Sequence, residues 1–187
     1  MNKVFFETER VYLTELTKDD SHLLLDLDSD PEVMKYLTDG KPSTVAEVEE
    51  TMERILEFID KYQHKFGFWL AYTKDTNEFM GWFLFRPCKK NPDDLQNIEL
   101  GYRLKKKFWG QGLASEVSKA ILKVGFADYK VDSIFATAMK KHLGSQGVMK
   151  KIGMKWEEDY IENQFPGEDK TAVRFRIIRK DWEQTIS

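Results

Sequence analysis

The sequence predicts a single α/β domain in which helices pack against a mixed β-sheet. Its length of 187 residues is usual for one domain with one substantial core. Hydrophobic residues make up 41% of the chain and charged residues 33%, a balance typical of sequences that fold. Segments in which apolar and polar residues alternate, as in strands, are interspersed with segments whose apolar residues recur at helical spacing. We therefore expect residues 1–187 to form one domain.

Composition limits the partners and the compartment. The formal net charge of -3 removes the usual electrostatic reason to expect that the whole domain binds nucleic acid. Cys88 is the single cysteine, so the chain forms no internal disulfide and no cysteine zinc cluster, which suits a reducing cytoplasm. No stretch approaches the ~20 consecutive apolar residues that a transmembrane helix needs. The sequence thus predicts a cytoplasmic protein without a metal, nucleic acid or membrane partner.

The first half of the chain is predicted to contain three strands and two main helices. Val11, Leu13 and Leu16 alternate imperfectly with polar neighbours, which indicates a strand. The longest helix is predicted where apolar residues recur at three- and four-residue intervals, from Val48 to Ile59. The predicted elements are, in order, a strand at 10–16, a helix at 20–28, a short turn opened by Pro31, a helix at 45–62 and strands at 66–72 and 78–86.

The second half is predicted to contain four more strands and two helices. A polar loop with Pro92 leads into a strand that Gly101 interrupts, so we expect a bulge at this glycine. Gly153 is suited to end the last predicted helix in a left-handed conformation. The predicted elements are a strand at 98–104, a helix from 113 to about 128, a strand at 133–138, a helix at 144–152 and strands at 154–159 and 172–178.

The segment that carries chemistry is Lys107–Glu116, between a strand and an amphipathic helix. Gly110 and Gly112 allow backbone geometries and close approaches that side chains would block. The amides at the start of the following helix point outward without partners, and the helix dipole is aligned behind them. The segment therefore predicts a site for a pyrophosphate, and so for a nucleotide-like cofactor.

Other interpretations of the two glycines require different neighbours. A Walker A loop would need a Gly-Lys-Ser/Thr ending, which the segment lacks. A dinucleotide-binding turn would need a third glycine where Ser115 stands, although Asp132 lies at the spacing of a ribose-binding acid. A glycine turn that binds no ligand is also compatible with the pair alone. The glycines by themselves leave the last two interpretations open.

Motifs on both sides of this loop carry a family resemblance. Ile98–Leu104 followed by Phe108–Glu116 resembles the acyl-coenzyme A motif of the GNAT family of N-acetyltransferases. Downstream, His142–Ser145 and Met149–Met154 resemble the second motif of that family, which usually begins with Asn. Thr8–Thr14 is similar to the RimJ/RimL-like branch, which acetylates the N-termini of ribosomal proteins. The resemblance covers nearly the whole chain in the order that the family has.

The resemblance implies a fold and a cofactor. The fold is a mixed, mostly antiparallel sheet of about seven strands, with helices on both faces and a splayed strand pair that holds acetyl-CoA. The backbone of Tyr102 and Leu104 is expected to pair with the pantetheine arm. His142 stands in place of the customary Asn and is expected to contact the pantetheine or the substrate. Ser115 is expected to add a hydroxyl to the amides that bind the pyrophosphate, which are those of Trp109, Gly110, Gln111, Gly112, Leu113 and Ala114.

The implied reaction is direct attack of an amine on the thioester, without a covalent intermediate. Glu99 is the predicted general base, because it is the carboxylate on the strand expected to flank the thioester. Ser145 is the predicted acid for the leaving thiolate. Three lysines next to the loop are candidates to neutralise phosphate charge: Lys105, Lys106 and Lys107.

The acceptor implied by the resemblance is a primary amine, either the N-terminus of a protein or peptide or a small molecule. A homodimer is compatible with the sequence. A second interpretation, from another functional class, is a non-catalytic module that binds acyl-CoA for sensing or assembly. Both interpretations predict cofactor binding, but only the enzyme releases free thiol when a suitable amine is added.

Overall fold

The fold is a sheet with helices on both faces. The computed structural model describes residues 3–37, 40–63, 65–165 and 167–186. In chain order the elements are β1 (Val4–Glu7), β2 (Val11–Glu15), α1 (Ser21–Asp28), α2 (Pro31–Met34), α3 (Val45–Lys61), β3 (Gly67–Thr73), β4 (Phe79–Pro87), β5 (Asn97–Leu104), α4 (Leu113–Lys123), β6 (Ser133–Met139), α5 (Leu143–Lys151), β7 (Lys155–Ile161), β8 (Thr171–Ile178) and α6 (Arg179–Ile186).

The sheet is mixed and mostly antiparallel, which confirms the predicted fold class. Its strand order is β1-β2-β3-β4-β5-β6-β8-β7. Among the strands of the described residues, β5 and β6 form the one parallel pair. All seven predicted strands occur, and β1 adds an eighth at the edge. The sequence does not reveal β1 or α6, because β1 is a short run without buried residues and α6 is mostly polar.

Successive side chains along a strand point to opposite faces of the sheet, so apolar side chains pack into two separate cores, one on each face. On β3, Leu70 faces the core beneath α1 and α3, whereas its neighbours Trp69 and Ala71 face the core beneath α4. Ile55 of α3 belongs to the first core, and Ile121 of α4 belongs to the second. Across the described part of the chain, no helix combines the length and hydrophobicity needed to cross a bilayer.

Local chemistry sets several helix boundaries. Thr44 and Glu47 form a capping box at the start of α3, because the Thr44 amide donates to the Glu47 carboxylate at 2.7 Å and the Glu47 amide donates to the Thr44 hydroxyl at 3.3 Å. Gly153 follows α5 with φ 90°, as its predicted role as a left-handed stop requires. The helix predicted from 113 to 128 changes character near its end, where Val124–Asp128 form a π-helical turn.

β5 and β6 separate along the sheet and leave a cleft between them. They pair at three positions only, from Asn97 opposite Ser133 to Glu99 opposite Phe135. Beyond this point β5 continues to Leu104 on β4, and β6 continues along β8. The splayed strand pair that the resemblance implies is therefore present.

The bulge predicted at Gly101 is wrong. The β4–β5 register is continuous from Pro87 opposite Ile98 to Gly81 opposite Leu104. Gly101 lies opposite Leu84, and a Cβ on this glycine would be 3.1 Å from the Leu84 side chain. The absence of a side chain at position 101 therefore makes room for Leu84 rather than for an extra backbone residue.

The irregularity of this region lies instead on β4, at Gly81. Its φ is 141°, and the register between β3 and β4 shifts next to it, between Ala71 and Tyr72. A Cβ on Gly81 would overlap the carbonyl oxygen of Arg103 and lie 2.8 Å from the Cα of Leu104. Glycine at this position therefore allows the close approach that holds the end of β5 beside the cleft.

We predict that Gly81→Ala destabilises the protein by about 3 kcal/mol, because the new methyl group meets backbone atoms that cannot rotate away. Gly147→Ala is the matched control, since nothing lies within 4 Å of its Cβ position in α5. This control should raise stability by about 0.5–1 kcal/mol. Urea unfolding followed by circular dichroism measures both changes, and equal stability of Gly81→Ala and the parent would contradict the prediction.

Candidate active site

A pocket of about 400 Å³ occupies the cleft between β5 and β6. Tyr102 and Leu104 line it from β5, and Thr137 lines it from β6. The loop before α4, the first turn of α4, α5, the segment from Val33 to Leu37 and Phe165 complete its lining. The pocket therefore joins the parted strands to the glycine loop that sequence analysis identified.

The loop presents unpaired amides to this pocket. Gly110 and Gly112 have φ of 75° and 79°, in the left-handed region that side chains disfavour. Gly112 is the N-cap of α4 and has no side chain that could satisfy the first amides of the helix. Both glycines line the pocket together with Ala114 and Ser115. This arrangement of free amides at a helix start is suited to binding an anion.

Two residues of the loop hold it in place. The indole of Trp109 donates from Nε1 to the carbonyl oxygen of Leu104 at 2.8 Å, so the loop is tied to the end of β5. The side-chain amide of Gln111 donates to the carbonyl oxygen of Lys107 at 2.7 Å. Trp109 lines the pocket, as does Leu113, whereas Gln111 lies outside its wall. The prediction that the Trp109 amide is free to bind the pyrophosphate is wrong, because this amide donates to the carbonyl oxygen of Lys106 at 3.1 Å.

An ion pair that sequence analysis missed connects the loop to the start of β2. Arg10 contacts the Glu116 carboxylate from Nε and Nη2, both at 2.7 Å, and its Nη1 donates to the carbonyl oxygen of Gln111 at 3.1 Å. Thr8 donates its hydroxyl to the other Glu116 oxygen at 2.6 Å. Burial alone would raise the pKa of Glu116, but the hydrogen bonds from Thr8 and Arg10 outweigh it and lower that pKa. The pair therefore stays charged and fixes the first turn of α4.

Two cations lie beside the loop glycine. A Cβ on Gly112 would lie 3.7 Å from Nη2 of Arg10 and 3.8 Å from Nζ of Lys151. Lys151 ends α5 and lines the pocket. Both lie in segments that carry the family resemblance, Arg10 in Thr8–Thr14 and Lys151 in Met149–Met154. The sequence alone, however, does not predict that these two distant segments meet at Gly112.

The three lysines that precede the loop have carboxylate partners instead. Lys105 pairs with Asp26, Lys106 pairs with Glu32 at 3.5 Å, and Lys107 pairs with Glu78. Each pair ties the loop region to α1, α2 or the β3–β4 turn. Positive charge beside Gly112 therefore comes from Lys151 and Arg10, and the lysine run anchors the loop.

His142 caps α5 and stacks on a ring from another part of the chain. Its Nδ1 accepts a hydrogen bond from the amide of Ser145 at 3.5 Å, so the ring proton lies on Nε2. The ring of Tyr36 stacks on it with centroids 4.4 Å apart. Burial lowers the pKa of His142, so its imidazole is neutral near pH 7. His142, Ser145 and Tyr36 all line the pocket.

Tyr102 contributes a side chain as well as the predicted backbone. Burial raises the pKa of its phenol to about 12, and a hydrogen bond with the Ser145 side chain opposes this shift. The phenol is therefore protonated at any physiological pH. Two hydroxyl groups, one from β5 and one from α5, thus lie together in the pocket.

Glu99 is the predicted catalytic residue that the structure does not bring to the pocket. It lies on β5 at the last position paired with β6, outside the pocket wall. Its carboxylate accepts hydrogen bonds from Nε and Nη2 of Arg86 at 2.8 and 2.6 Å. Both side chains are mostly buried, at 21% and 16% exposure. A direct role for Glu99 as a base would require it to act from within this ion pair.

Comparisons with known proteins agree with this geometry. Residues 10–155 match the family model of the acetyltransferase (GNAT) domain. The curated FsC-acetyl coenzyme A-N(2)-transacetylase of Aspergillus fumigatus is 28% identical over 183 residues, which cover 94% of this chain and 76% of that protein. A GNAT-family acetyltransferase structure from Bacillus anthracis has a TM-score of 0.79 at 22% identity and covers 95% of this chain and 99% of that one.

A second solved structure shares the fold with coenzyme A bound. RimL, a ribosomal L7/L12 alpha-N-protein acetyltransferase, has a TM-score of 0.78 at 14% identity, with 94% of this chain and 98% of that chain covered. At such identity the likeness concerns the fold. Because the family model spans most of the sequence, the protein belongs to the GNAT acetyltransferase family and is an N-acetyltransferase that uses acetyl-CoA.

Proposed function

We propose that the protein, as a single domain over residues 1–187, transfers an acetyl group to a primary amine by direct attack within a ternary complex. The observation that carries this proposal is the cleft between β5 and β6, which opens onto the amides of the glycine loop. When bound there, acetyl-CoA supplies the thioester that the amine attacks. Holding both reactants side by side in the cleft can contribute ~7–11 kcal/mol to lowering the barrier.

Two parts of the cleft hold the cofactor. The parted edge of β5, at Tyr102 and Leu104, offers backbone groups to the pantetheine arm. The amides from Gly110 to Ala114 bind the diphosphate, with the Trp109 side chain and the hydroxyl of Ser115 beside them and Lys151 as the counter-charge. His142 donates from Nε2 to the pantetheine, since its Nδ1 is engaged with the helix amide.

The proton transfers are assigned to groups on either side of the cleft. Ser145 donates a proton to the leaving sulfur, and its hydrogen bond with Tyr102 orients that hydroxyl. Glu99 accepts the amine proton through water, because its carboxylate is held by Arg86 outside the pocket wall. The neutral imidazole of His142 leaves the approaching amine free of repulsion at this wall.

The proposed acceptor class includes the N-terminus of a protein or peptide and small primary amines. The similarity of Thr8–Thr14 to the RimJ/RimL-like branch and the shared fold with RimL support a protein N-terminus. The name of the Aspergillus fumigatus relative instead describes transfer to an N(2) position of a compound denoted FsC. A non-catalytic acyl-CoA-binding module is less favoured, because the pocket places two hydroxyl groups beside the cofactor cleft and the family is one of acetyltransferases. Release of free thiol on addition of an amine distinguishes the two functions.

The loop assignment predicts that Gly112→Asp weakens acetyl-CoA binding by more than about tenfold, because a carboxylate would repel the diphosphate and capture the nearby cations. The matched control is Gly167→Asp, since Gly167 has a similar φ of 78° with open space at its Cβ position. Isothermal titration calorimetry of both folded variants with acetyl-CoA measures the change in affinity. Parental affinity in Gly112→Asp would contradict the loop assignment.

Lys151→Gln should weaken coenzyme A binding by about three- to tenfold at low ionic strength, and added salt should reduce the difference. Lys150→Gln is the control, because Lys150 lies over the Phe175 ring, with its Nζ 5.8 Å from the ring centroid. Titration with pantetheine, which has no phosphate, should not distinguish Lys151→Gln from the parent. An equal loss for pantetheine would show that the lysine supports the fold of the pocket rather than a phosphate.

Glu99→Gln should lower kcat by about 10- to 100-fold and leave the KM for acetyl-CoA unchanged, because the amide cannot accept the amine proton. Arg86→Gln removes the same ion pair but keeps the carboxylate, so its kcat should exceed that of Glu99→Gln. Steady-state assays of thiol release across a range of pH measure both. If Glu99→Gln keeps the parental rate and pH profile, the base is another group.

A further inference from the structure

The wall of the pocket on the α1–α3 side of the sheet is apolar and aromatic. Val33, Tyr36 and Leu37 reach it from α2 and the residues that follow, and Phe165 reaches it from the β7–β8 connection. Met139 closes it at the end of β6 and is buried, as is Val33. The residues of this wall are not part of the diphosphate loop. With the loop assigned to the diphosphate, this wall is the part of the pocket left for the acceptor.

The stacked rings of His142 and Tyr36 extend this wall. Their planes are 18° apart, so they offer a flat aromatic surface that links α5 to the segment after α2. Burial lowers the pKa of His142, which keeps the surface uncharged near pH 7. Flat, uncharged surfaces of this kind bind apolar and aromatic groups well.

The carboxylates around this end of the pocket are already engaged by cations. Asp28 holds the guanidinium of Arg103 in an ion pair whose side chains are 12% and 15% exposed. Asp26 and Glu32 hold Lys105 and Lys106. These acids are therefore neutralised within the protein before any acceptor binds.

The side chain of Arg103 brings a guanidinium to the pocket wall, and Asp28 balances its charge. It lines the pocket and lies over the Trp82 ring, 5.1 Å from the ring centroid. No carboxylate occurs among the described residues that line the pocket, so an acceptor with a second ammonium group would have to bury that charge against apolar side chains and an already paired guanidinium. Burying a charge without a partner is strongly unfavourable. An acceptor with a single amine avoids this cost of burying a charge, because that amine reacts in its neutral form.

We propose that the acceptor is a primary amine on an apolar or aromatic body that carries no second positive charge, and this inference rests on the proposed function. The amine nitrogen forms a bond to the acetyl carbon, the carbon–sulfur bond breaks, the sulfur takes up a proton and the amine loses one. The product is a neutral amide. Such an acceptor has two sources, a small arylalkylamine or a peptide whose first residue is apolar.

The test compares acceptors that differ by one charge. Hexylamine and hexamethylenediamine have the same carbon chain, but the second carries an additional ammonium group. We expect kcat/KM, measured by thiol release from acetyl-CoA, to favour hexylamine by about tenfold or more. Phenethylamine and a peptide that begins with phenylalanine then identify the source. A diamine or spermidine used as well as hexylamine would overturn the inference while leaving the acetyltransferase function in place.

A pair of variants tests the charge argument inside the pocket. Leu37→Asp places a carboxylate in the acceptor wall, and Leu37→Asn is its uncharged match. We expect the aspartate variant to shift the diamine-to-hexylamine ratio of kcat/KM by about tenfold towards the diamine and the asparagine variant to leave it unchanged. Coenzyme A titration checks that both pockets remain intact.

Each outcome of the variant experiment decides something. An unchanged ratio in an intact Leu37→Asp protein would refute the role of charge. An equal shift in Leu37→Asn would refute it as well, because polarity alone would then explain the change. Absence of thiol release with every amine, despite coenzyme A binding, would overturn the proposed function itself and the acceptor inference with it.

Discussion

The separation of β5 from β6 is the constraint on which the site depends. A gap in a sheet exposes backbone groups, so it persists only when each strand is held from its other side. β4 holds β5 in continuous register to Leu104, and β8 holds β6 to Met139. Gly81 permits the close contact at the end of β5. The cleft is therefore a rigid feature of the sheet, able to accept an extended ligand as an added strand would be accepted.

The charges around the cleft divide it into two ends of different character. At the loop, amides without partners and the Lys151 ammonium face the pocket, while Glu116 keeps Arg10 in place. At the opposite end, Asp28 and Arg103 neutralise one another. One end is therefore suited to a phosphate and the other to uncharged groups. The same pocket can hold a highly charged cofactor and an acceptor with little charge without mixing their sites.

The sequence predicts the features that depend on local chemistry. Apolar and polar residues alternate along half-buried strands, and apolar residues recur every three or four positions in half-buried helices. All seven strands predicted from these patterns occur. β1 and α6 are not predicted, because they bury few apolar residues. Left-handed Gly110 and Gly112 follow from the loop alone. The Arg10–Glu116 pair joins residues 106 apart, and the capture of Glu99 by Arg86 depends on strand register, so neither can be deduced from spacing.

His142 shows how a departure from the family motif can change one function and keep another. Asn is among the best helix caps, and the imidazole keeps that role because Nδ1 accepts from the Ser145 amide. The larger ring also reaches Tyr36, which an amide side chain could not stack against in the same way. Protonation of His142 would break the cap, and burial opposes it by lowering the pKa. The substitution therefore preserves the helix that positions Ser145 while adding a surface to the acceptor wall, so cofactor binding and acceptor choice can vary separately.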